Sequence, residues 1–394
     1  TNFLLEQEHS LTSGATFGYF LKSILLLRFV ILYFVVETLL INNKLNLNKF
    51  FITSFLCTTY VSFDVIVQYI FGYNLLGYKF QTGQFSGLFL DEAIAGGYIQ
   101  KFSLLSIFGS LFFFQGKKYN KQLLFVFILL FTLGALIANN RMSMVLLFLS
   151  LIIMLLIAKE IRYVILSSLF AFIFISSMLM NADEHLKYRY QSFLTLESLK
   201  LENMLFIKKR IQYEERIQDE EKLEDADEIP KKNDLQSSSE TVDRRLIYNK
   251  LSNTHFRIFR TAIESWKNNP IIGWGHKSFR IKCKDLKSKT FIPVCSTHPH
   301  NYQLEVLHET GLLGFIFILI FAFIFIFKVF IKLISKNYKP NAMYMIPIVL
   351  ALLIEIWPIK SSGSLLSTWN GTFIWLLISL SPILNKKFDN KNLM

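Results

Sequence analysis

The strongest constraint on this chain is a series of apolar segments that each continue for about 20 residues. A helix of that length crosses the ~30 Å hydrocarbon core of a bilayer, and lipid offers no other hydrogen-bond partners to backbone groups. We therefore predict an all-α integral membrane protein, a multi-spanning helical bundle with about nine transmembrane helices. The predicted spans are roughly residues 19–41, 50–71, 93–115, 122–138, 142–158, 162–180, 311–335, 342–358 and 365–384.

The lysines and arginines between these spans predict the orientation of the chain. Fourteen lie in one alternating set of loops and near span ends, and three lie in the other set. Short loops rich in basic residues stay in the cytoplasm, so the first set is predicted to be cytoplasmic and the second periplasmic. The cytoplasmic set is Lys44, Lys49, Lys117, Lys118, Lys121, Lys159, Arg162, Lys328, Lys332, Lys336, Lys339, Lys386, Lys387 and Lys391; the other set is Lys79, Arg141 and Lys360.

This topology explains the formal net charge of +13 as a membrane signal, and no nucleic-acid partner is expected. It divides the chain into N-terminal membrane helices (1–180), one large periplasmic loop (181–310) and C-terminal membrane helices (311–394). The topology places residues 1–18 outside the cytoplasm, although no signal peptide follows Thr1. We therefore expect at least one upstream helix to be missing from this sequence.

The large loop has two parts of different composition. Residues 200–250 are rich in charge, and the segment EERIQDEEKLEDADE predicts an exposed helix or a disordered insert, with an acidic metal-binding tail as the alternative. The second part begins with apolar residues at steps of three and four, namely Phe256, Phe259, Ile263 and Trp266. This spacing predicts an amphipathic helix over 254–268, which Asn269 and Pro270 end.

Two of the three cysteines, Cys283 and Cys295, lie twelve residues apart in this loop. In an oxidising compartment a disulfide is favoured over a metal pair. Cys57 lies in a predicted membrane helix, where we expect it to be inert.

Three histidines occur in THPHNYQLEVLHETGLLGF, where the loop returns to the membrane at Gly311. A neutral imidazole accepts a proton from an attacking hydroxyl near pH 7, which makes His300 a candidate general base. A zinc site is the alternative, but His300 and His308 lie about 80° apart on a helix and no metalloprotease-like histidine pair occurs. A purely structural role is the other alternative.

Three arginines are candidates for binding a phosphorylated substrate. Arg141 is predicted at the tip of a tight periplasmic turn, where its fork of donors suits a diphosphate on a lipid tail. The alternative is an arginine that extends to the lipid headgroups. Arg257 and Arg260 on the predicted loop helix could complete such a clamp, although Arg260 could instead pair with Glu264. In the last periplasmic turn, IWPIKSSG predicts the lining of a polar cavity.

Together these segments resemble the O-antigen ligase and O-unit polymerase family. The closest similarity is HPHNYQLEVLHETGLLG, followed by RTAIESWKNNPIIGWGHKSF and NNRMSM. SGLFLDEAIAGGYI and IWPIKSSGSLLSTWN are similar to segments of one branch of the family. The similarity covers about residues 80–384 in the correct order, and the insert at 200–250 departs from the usual loop.

The resemblance implies a multi-helix, GT-C-like glycosyltransferase of the bacterial inner membrane, independent of metal and cofactor. Its donor is expected to be an undecaprenyl-diphosphate-linked glycan and its acceptor the lipid A-core or another glycan. By position, His300 is the expected catalytic base and Arg141, with Arg257 or Arg260, the expected diphosphate ligand. Asn301 and Glu309, in the same motif, are expected to contribute to substrate binding.

Three other functions remain open from the sequence. A polymerase of the same family joins repeat units instead of ligating them to a core. A transporter of the same lipid is characterised by ionisable residues inside several helices, for which the candidates are Lys22, Arg28, Glu37, Asp64, Lys101 and Glu355. A structural membrane protein with a periplasmic binding loop is the third alternative.

Overall fold

The structure is a computed structural model that describes residues 24–79, 84–90, 92–184, 186–188, 190, 254–287, 291–334 and 342–380. Within these ranges the regular structure is helical, and the only β-type pairing is an isolated bridge between Tyr73 and Lys79. The predicted charged insert at 200–250 lies outside the described residues. The boundaries of the three predicted domains stay predictions.

Eleven α-helices follow one another along the described chain. They are α1 (Leu27–Ile41), α2 (Leu47–Phe71), α3 (Ala95–Phe113), α4 (Asn120–Ile137), α5 (Arg141–Ile157), α6 (Arg162–Ala182), α7 (Thr254–Lys267), α8 (Phe279–Asp285), α9 (Tyr302–Ile334), α10 (Ala342–Glu355) and α11 (Thr368–Ser379). Every predicted span overlaps one of them, and the predicted amphipathic helix over 254–268 corresponds to α7.

Among the residues that the structure describes, four helical segments are long and apolar enough to cross a membrane, and two further apolar helices are shorter. The four are Leu47–Phe71, Asn120–Ile137, Lys159–Ala182 and Tyr302–Lys328; the two are Arg141–Ile157 and Tyr344–Glu355. The described chain is therefore a multi-pass helical membrane protein, but the predicted count of nine spans is not confirmed.

Helix α3 lies at the centre of the bundle, buried along most of its length against α2, α4 and α10. A Cβ atom at Gly109 would lie 2.1 Å from the Phe51 carbonyl oxygen, so only glycine permits this approach of α3 to α2. The Ser106 hydroxyl donates to the Ser54 carbonyl and to Thr58 across the same contact. This close packing leaves α3 few positions that can face lipid.

Helix α9 changes direction at Gly311, whose backbone has φ 65° and ψ −168°. The turns before it, from Tyr302 to Thr310, pack against α7, α8 and the loop after α10. The turns after it expose large apolar side chains, among them Phe317 at 72% and Phe323 at 70%. Such exposure suits contact with lipid, so Gly311 marks the passage of α9 from the polar site into the membrane segment.

Candidate active site

His300 lies immediately before α9 in a backbone conformation that is rare for a residue with a side chain. Its φ is 57°, in the left-handed region. Two hydrogen bonds hold the segment: the Ser362 amide donates to the His300 carbonyl at 2.8 Å, and the Leu304 amide donates to Asn301 Oδ1 at 3.0 Å. Left-handed backbone at such a residue costs free energy and persists where surrounding contacts impose it, which is common in active sites.

The imidazoles of His300, His298 and His255 lie together, and we call these three the histidine cluster. The His300 ring centroid lies 4.2 Å from that of His298 and 5.1 Å from that of His255 on α7. His300 Nε2 lies 3.0 Å from the Ser296 hydroxyl, and His255 Nδ1 lies 3.3 Å from that of Ser361. The cluster therefore joins α7, the segment before α9 and the loop after α10.

The surroundings keep these imidazoles neutral. Burial, with smaller contributions from His298 and His255, lowers the pKa of His300 to about 4. Burial also lowers the pKa of His255 and of His298, and the charge of Arg280 lowers that of His298 further. Because its pKa is low, the His300 imidazole is in its neutral, proton-accepting form at pH 7. A low pKa also makes it a weaker base, so the acceptor hydroxyl must be held against it for the proton to transfer.

Asn301 connects this segment to the loop after α10. Its Nδ2 donates to the carbonyls of Pro358 at 2.7 Å and Lys360 at 3.2 Å, while its Oδ1 caps α9. The side chain is buried, and each of its polar atoms has a partner within the protein. This geometry fits a residue that positions His300; the predicted contact of Asn301 with substrate stays a prediction.

Below the cluster, one carboxylate is buried between two lysines. Glu355 lies 3.2 Å from Lys101 Nζ and 2.6 Å from Lys360 Nζ, and the Tyr302 hydroxyl donates to it at 2.8 Å. Lys101 also donates to Asn370. A buried ion network of this kind is strongly destabilised when one partner is removed. It ties α3, α9, α10 and α11 together directly below the loop that carries Lys360.

Glu309 binds the turn that the sequence GWGHK forms. Its two carboxylate oxygens lie 3.0 Å from His276 Nδ1 and 2.7 Å from the Lys277 amide, and its carbonyl accepts from Gly275. The turn packs closely against the kink of α9 at Gly311. A Cβ atom at Gly273 would lie only 2.4 Å from the Gly311 nitrogen. Both Glu309 oxygens are thus engaged within the protein, which fits a positioning role; its predicted role in substrate binding is untested.

Arg141 is the first residue of α5, directly after its capping residue. Asn140 Oδ1 accepts from the Ser143 amide at 3.2 Å, and Asn139 has a left-handed φ of 61°. Gly96 on α3 packs so closely on this turn that a Cβ would lie 2.8 Å from that of Asn140. The tight turn predicted between α4 and α5 is therefore present, with Arg141 half-buried at its end.

A series of contacts connects this turn with the histidine cluster. Gly96 and Gln100 are one turn apart on α3, and Gln100 Oε1 accepts from Lys360 Nζ at 3.4 Å. The backbone carbonyl of Lys360 in turn accepts a hydrogen bond from the side chain of Asn301, the neighbour of His300. That Arg141 and His300 share one substrate stays a prediction.

The two arginines of α7 have different surroundings. Arg260 stacks on the buried Phe291 ring, with its guanidinium carbon 4.5 Å from the centroid. Its predicted alternative partner, Glu264, pairs with Lys267 at 2.9 Å. The Nε of Arg257 is buried and makes no hydrogen bond in the described part of the chain. That either arginine binds the diphosphate stays a prediction.

Cys283 on α8 and Cys295 are joined in a disulfide, with Cα atoms 5.5 Å apart. The bond fastens α8 to the segment that leads to His298 and His300. Cys283 is buried against Ile258 and Ala262 of α7, so the disulfide also belongs to the small apolar core of the loop. The remaining cysteine, Cys57, is unpaired and exposed.

Several residues of this site were not predicted from the sequence. Helix α7 brings His255 to the cluster, and α8 brings Arg280. The disulfide holds Ser296, which follows Cys295. Glu305 is buried and accepts hydrogen bonds from Ser364 and the Leu365 amide, which fixes the loop after α10. Their sequence neighbourhoods carry no signal except for Arg280, which precedes Cys283 by one helical turn.

Among the described residues, no group of three or more histidine, cysteine, aspartate or glutamate side chains is arranged to hold a metal ion. His308, the third histidine of the zinc alternative, is fully buried between Ser265 and Ser278, at 3.0 and 3.3 Å. It therefore packs away from His298 and His300, in the core that α7 and α8 share with α9.

The fold and the site define a multi-pass helical membrane protein in which a polar extramembrane segment packs on one end of the bundle. The model of the O-antigen ligase family matches residues 125–319, a range that contains α5, α6, α7 and the histidine cluster. The chain belongs to the O-antigen ligase family, whose members are glycosyltransferase-like ligases and polymerases acting on lipid-linked glycans. No curated protein and no solved structure matches the chain.

Proposed function

We propose that this protein transfers a glycan from undecaprenyl diphosphate to an acceptor sugar, in the manner of an O-antigen ligase. The reaction is assigned to the periplasmic face of the bacterial inner membrane, with the lipid A-core or another glycan as acceptor. His300 is the general base, and Arg141 and Arg257 bind the diphosphate. Arg260 supports the same site from its position on Phe291.

The observation that carries the proposal is the contact between His300 Nε2 and the Ser296 hydroxyl at 3.0 Å. A serine hydroxyl of the protein fits against this nitrogen, which supports a similar contact with an acceptor hydroxyl. The imidazole is neutral at pH 7, because its pKa is about 4, and it stands where the extramembrane segment meets the bundle. A base at this boundary can contact both a sugar hydroxyl that arrives from the aqueous side and a diphosphate at the lipid surface.

The chemistry needs few groups. The acceptor hydroxyl oxygen bonds to the anomeric carbon as the bond from that carbon to the diphosphate oxygen breaks. The hydroxyl proton passes to His300 and then to water, and the diphosphate leaves on its lipid. Donors positioned on the departing diphosphate stabilise the charge that develops there, and an arginine fork matches phosphate geometry. The half-buried Arg257, whose Nε makes no hydrogen bond in the described chain, is suited to this task.

Three of the ionisable residues that motivated a transporter have structural partners, and a fourth, Lys22, lies outside the described residues. Lys101 and Glu355 belong to the buried network with Lys360. Asp64 accepts from the Leu75 amide at 2.8 Å and so holds the turn after α2. These contacts account for the charges without a transport pathway, which supports the transferase.

Purified full-length protein, mixed with a lipid-diphosphate-linked glycan and a rough-type lipid A-core, tests the proposal directly. We expect transfer of the glycan to the core, at a rate that His300→Ala lowers by about 10²–10⁴-fold. A second reaction that contains only the lipid-linked donor distinguishes the polymerase, because a polymerase would lengthen the glycan on its lipid. The absence of both products from folded protein would refute a transferase.

The periplasmic assignment has its own test. The 14 to 3 distribution of basic residues predicts a cytoplasmic C-terminus. A reporter that is active only in the periplasm, fused after Met394, should therefore be inactive. The same reporter inserted within 214–228 should be active.

A further inference from the structure

Arg280 is a half-buried cation that has no counterion in the described part of the chain. It is the second residue of α8, and its Nε is buried without a hydrogen bond. Buried polar atoms in folded proteins nearly always have a partner, and an unpaired buried charge is costly. Lys282, two residues further along α8, pairs with Asp285 at 3.6 Å. Arg280 and Lys282, both on α8, therefore have different environments.

The disulfide determines where Arg280 lies. Arg280 and Cys283 are three residues apart and share one face of α8. Cys283 is bonded to Cys295, which precedes His298 by three residues. The charge of Arg280 accordingly lowers the pKa of His298. Arg280 thus stands beside the histidine cluster on the side of His298.

Two other buried polar atoms near this position make no well-formed hydrogen bond with any described residue. They are His298 Nε2 and the Ser362 hydroxyl oxygen. His298 uses its Nδ1 for Thr297 at 2.9 Å, and the Ser362 amide binds the His300 carbonyl. A guanidinium, an imidazole nitrogen and a hydroxyl are together the donors that phosphate oxygens accept. An anion among them would satisfy all three.

We propose that Arg280, with His298 and Ser362, forms a phosphate-binding subsite that holds the diphosphate of the lipid-linked donor beside His300. This inference rests on the proposed function and adds to it a phosphate ligand that the sequence motifs do not indicate. The subsite places the leaving group next to the base. In this proposal the Cys283–Cys295 disulfide holds Arg280 at the site.

Binding of undecaprenyl diphosphate to the purified full-length protein in detergent tests the subsite, with undecaprenol as the uncharged probe. Arg280→Gln should weaken diphosphate binding about ten- to a hundredfold, as expected for charge-assisted hydrogen bonds, and leave undecaprenol binding unchanged. Arg280→Lys, which keeps the charge without the fork, should recover part of the loss. Lys282→Gln is the matched control and should bind as the wild type does.

Wild-type diphosphate binding by Arg280→Gln would overturn the inference, as would displacement of the diphosphate by an equal concentration of phosphatidylglycerol. A wild-type protein that binds undecaprenol and undecaprenyl diphosphate equally would refute the proposed function itself. The melting temperature of each variant shows whether it is folded. If Arg280→Gln is not folded, Arg280→Lys decides: binding as tight as that of the wild type would then contradict the need for a guanidinium.

Discussion

The Ser362 amide donates a hydrogen bond to the His300 carbonyl at 2.8 Å, and so the loop after α10 holds the proposed base in left-handed backbone. Residues 300 and 362 belong to segments separated by the whole of α9 and α10. The base is therefore positioned by the assembled bundle, and its surroundings can be tested separately from its imidazole.

His300→Asn separates the backbone from the chemistry, because asparagine adopts left-handed backbone more readily than most residues. We expect the variant to fold and to bind the donor as the wild type does, while transfer falls by about 10²–10⁴-fold. Rates of glycan transfer and donor affinity, measured on the same preparation, check this. Lys284→Ala, an exposed change on α8, is the control. Transfer by His300→Asn at a normal rate would exclude His300 as the base.

The histidine cluster makes stability depend on pH in a predictable direction. The folded pKa of His300 is about 4, below its ordinary value of 6.5, and the pKa values of His255 and His298 are also lowered. The unfolded chain therefore binds protons first as the pH falls, so stability is fully present above about pH 6.5 and is lost toward pH 4. The melting temperature in detergent should decrease from pH 7 to pH 5, and less so in His255→Gln. A constant or rising melting temperature would contradict the buried, neutral cluster.

Loss of the disulfide should affect both stability and transfer. Replacing Cys283 and Cys295 with serine removes a cross-link that closes a short loop, which costs about 2–4 kcal/mol in typical proteins. Because the bond also fastens α8 to the segment of His298 and His300, transfer should fall together with the melting temperature. Cys57→Ser is the control, since Cys57 is unpaired. Two thiols that react with an alkylating reagent in oxidised, denatured protein at positions 283 and 295 would show that the bond does not form.

The turn after α7 should touch the lipid. Ile271 and Ile272 are 61% and 67% exposed, and the turn is bonded to the kink of α9 through the Leu313 amide and the Ile271 carbonyl at 3.1 Å. This apolar surface continues into that of α9, where Phe317 is exposed. A fluorophore at Ile272→Cys, in a Cys57→Ser background, should be quenched by brominated lipids. The same label at Lys284→Cys should not, and equal quenching at the two positions would refute the contact.

Glu309→Gln distinguishes positioning from substrate binding. The Glu309 carboxylate binds His276 and the backbone amide of Lys277. We therefore expect the glutamine side chain to weaken these contacts and lower the melting temperature, while the affinity for the donor is unchanged. Calorimetric melting and a donor-binding titration measure the two effects. Weaker donor binding by a variant with an unchanged melting temperature would instead support the role in substrate binding that the sequence motif predicts.

The sequence determined the class of fold and the segment that carries the proposed base. Apolar segments of about 20 residues must be helical in lipid, because the backbone has no other partners there, and they predict each of the membrane-type helices. The spacing of Phe256, Phe259, Ile263 and Trp266 predicted α7, since helical periodicity is a local property. The family motifs likewise led to His300, and the family itself is shown.

The tertiary structure alone decided which residues surround His300. His255, Ser296, Arg280 and Ser362 are distant from one another in the chain or lack a motif, and the packing of α7 on α9, the disulfide and the loop after α10 bring them together. The partners of Asn301, Arg260 and Glu309 were likewise open, because a polar side chain on a helix has several possible partners until neighbouring elements pack. Hydrophobic periodicity specifies where a helix forms, but burial and hydrogen-bond geometry exist only once the helices meet.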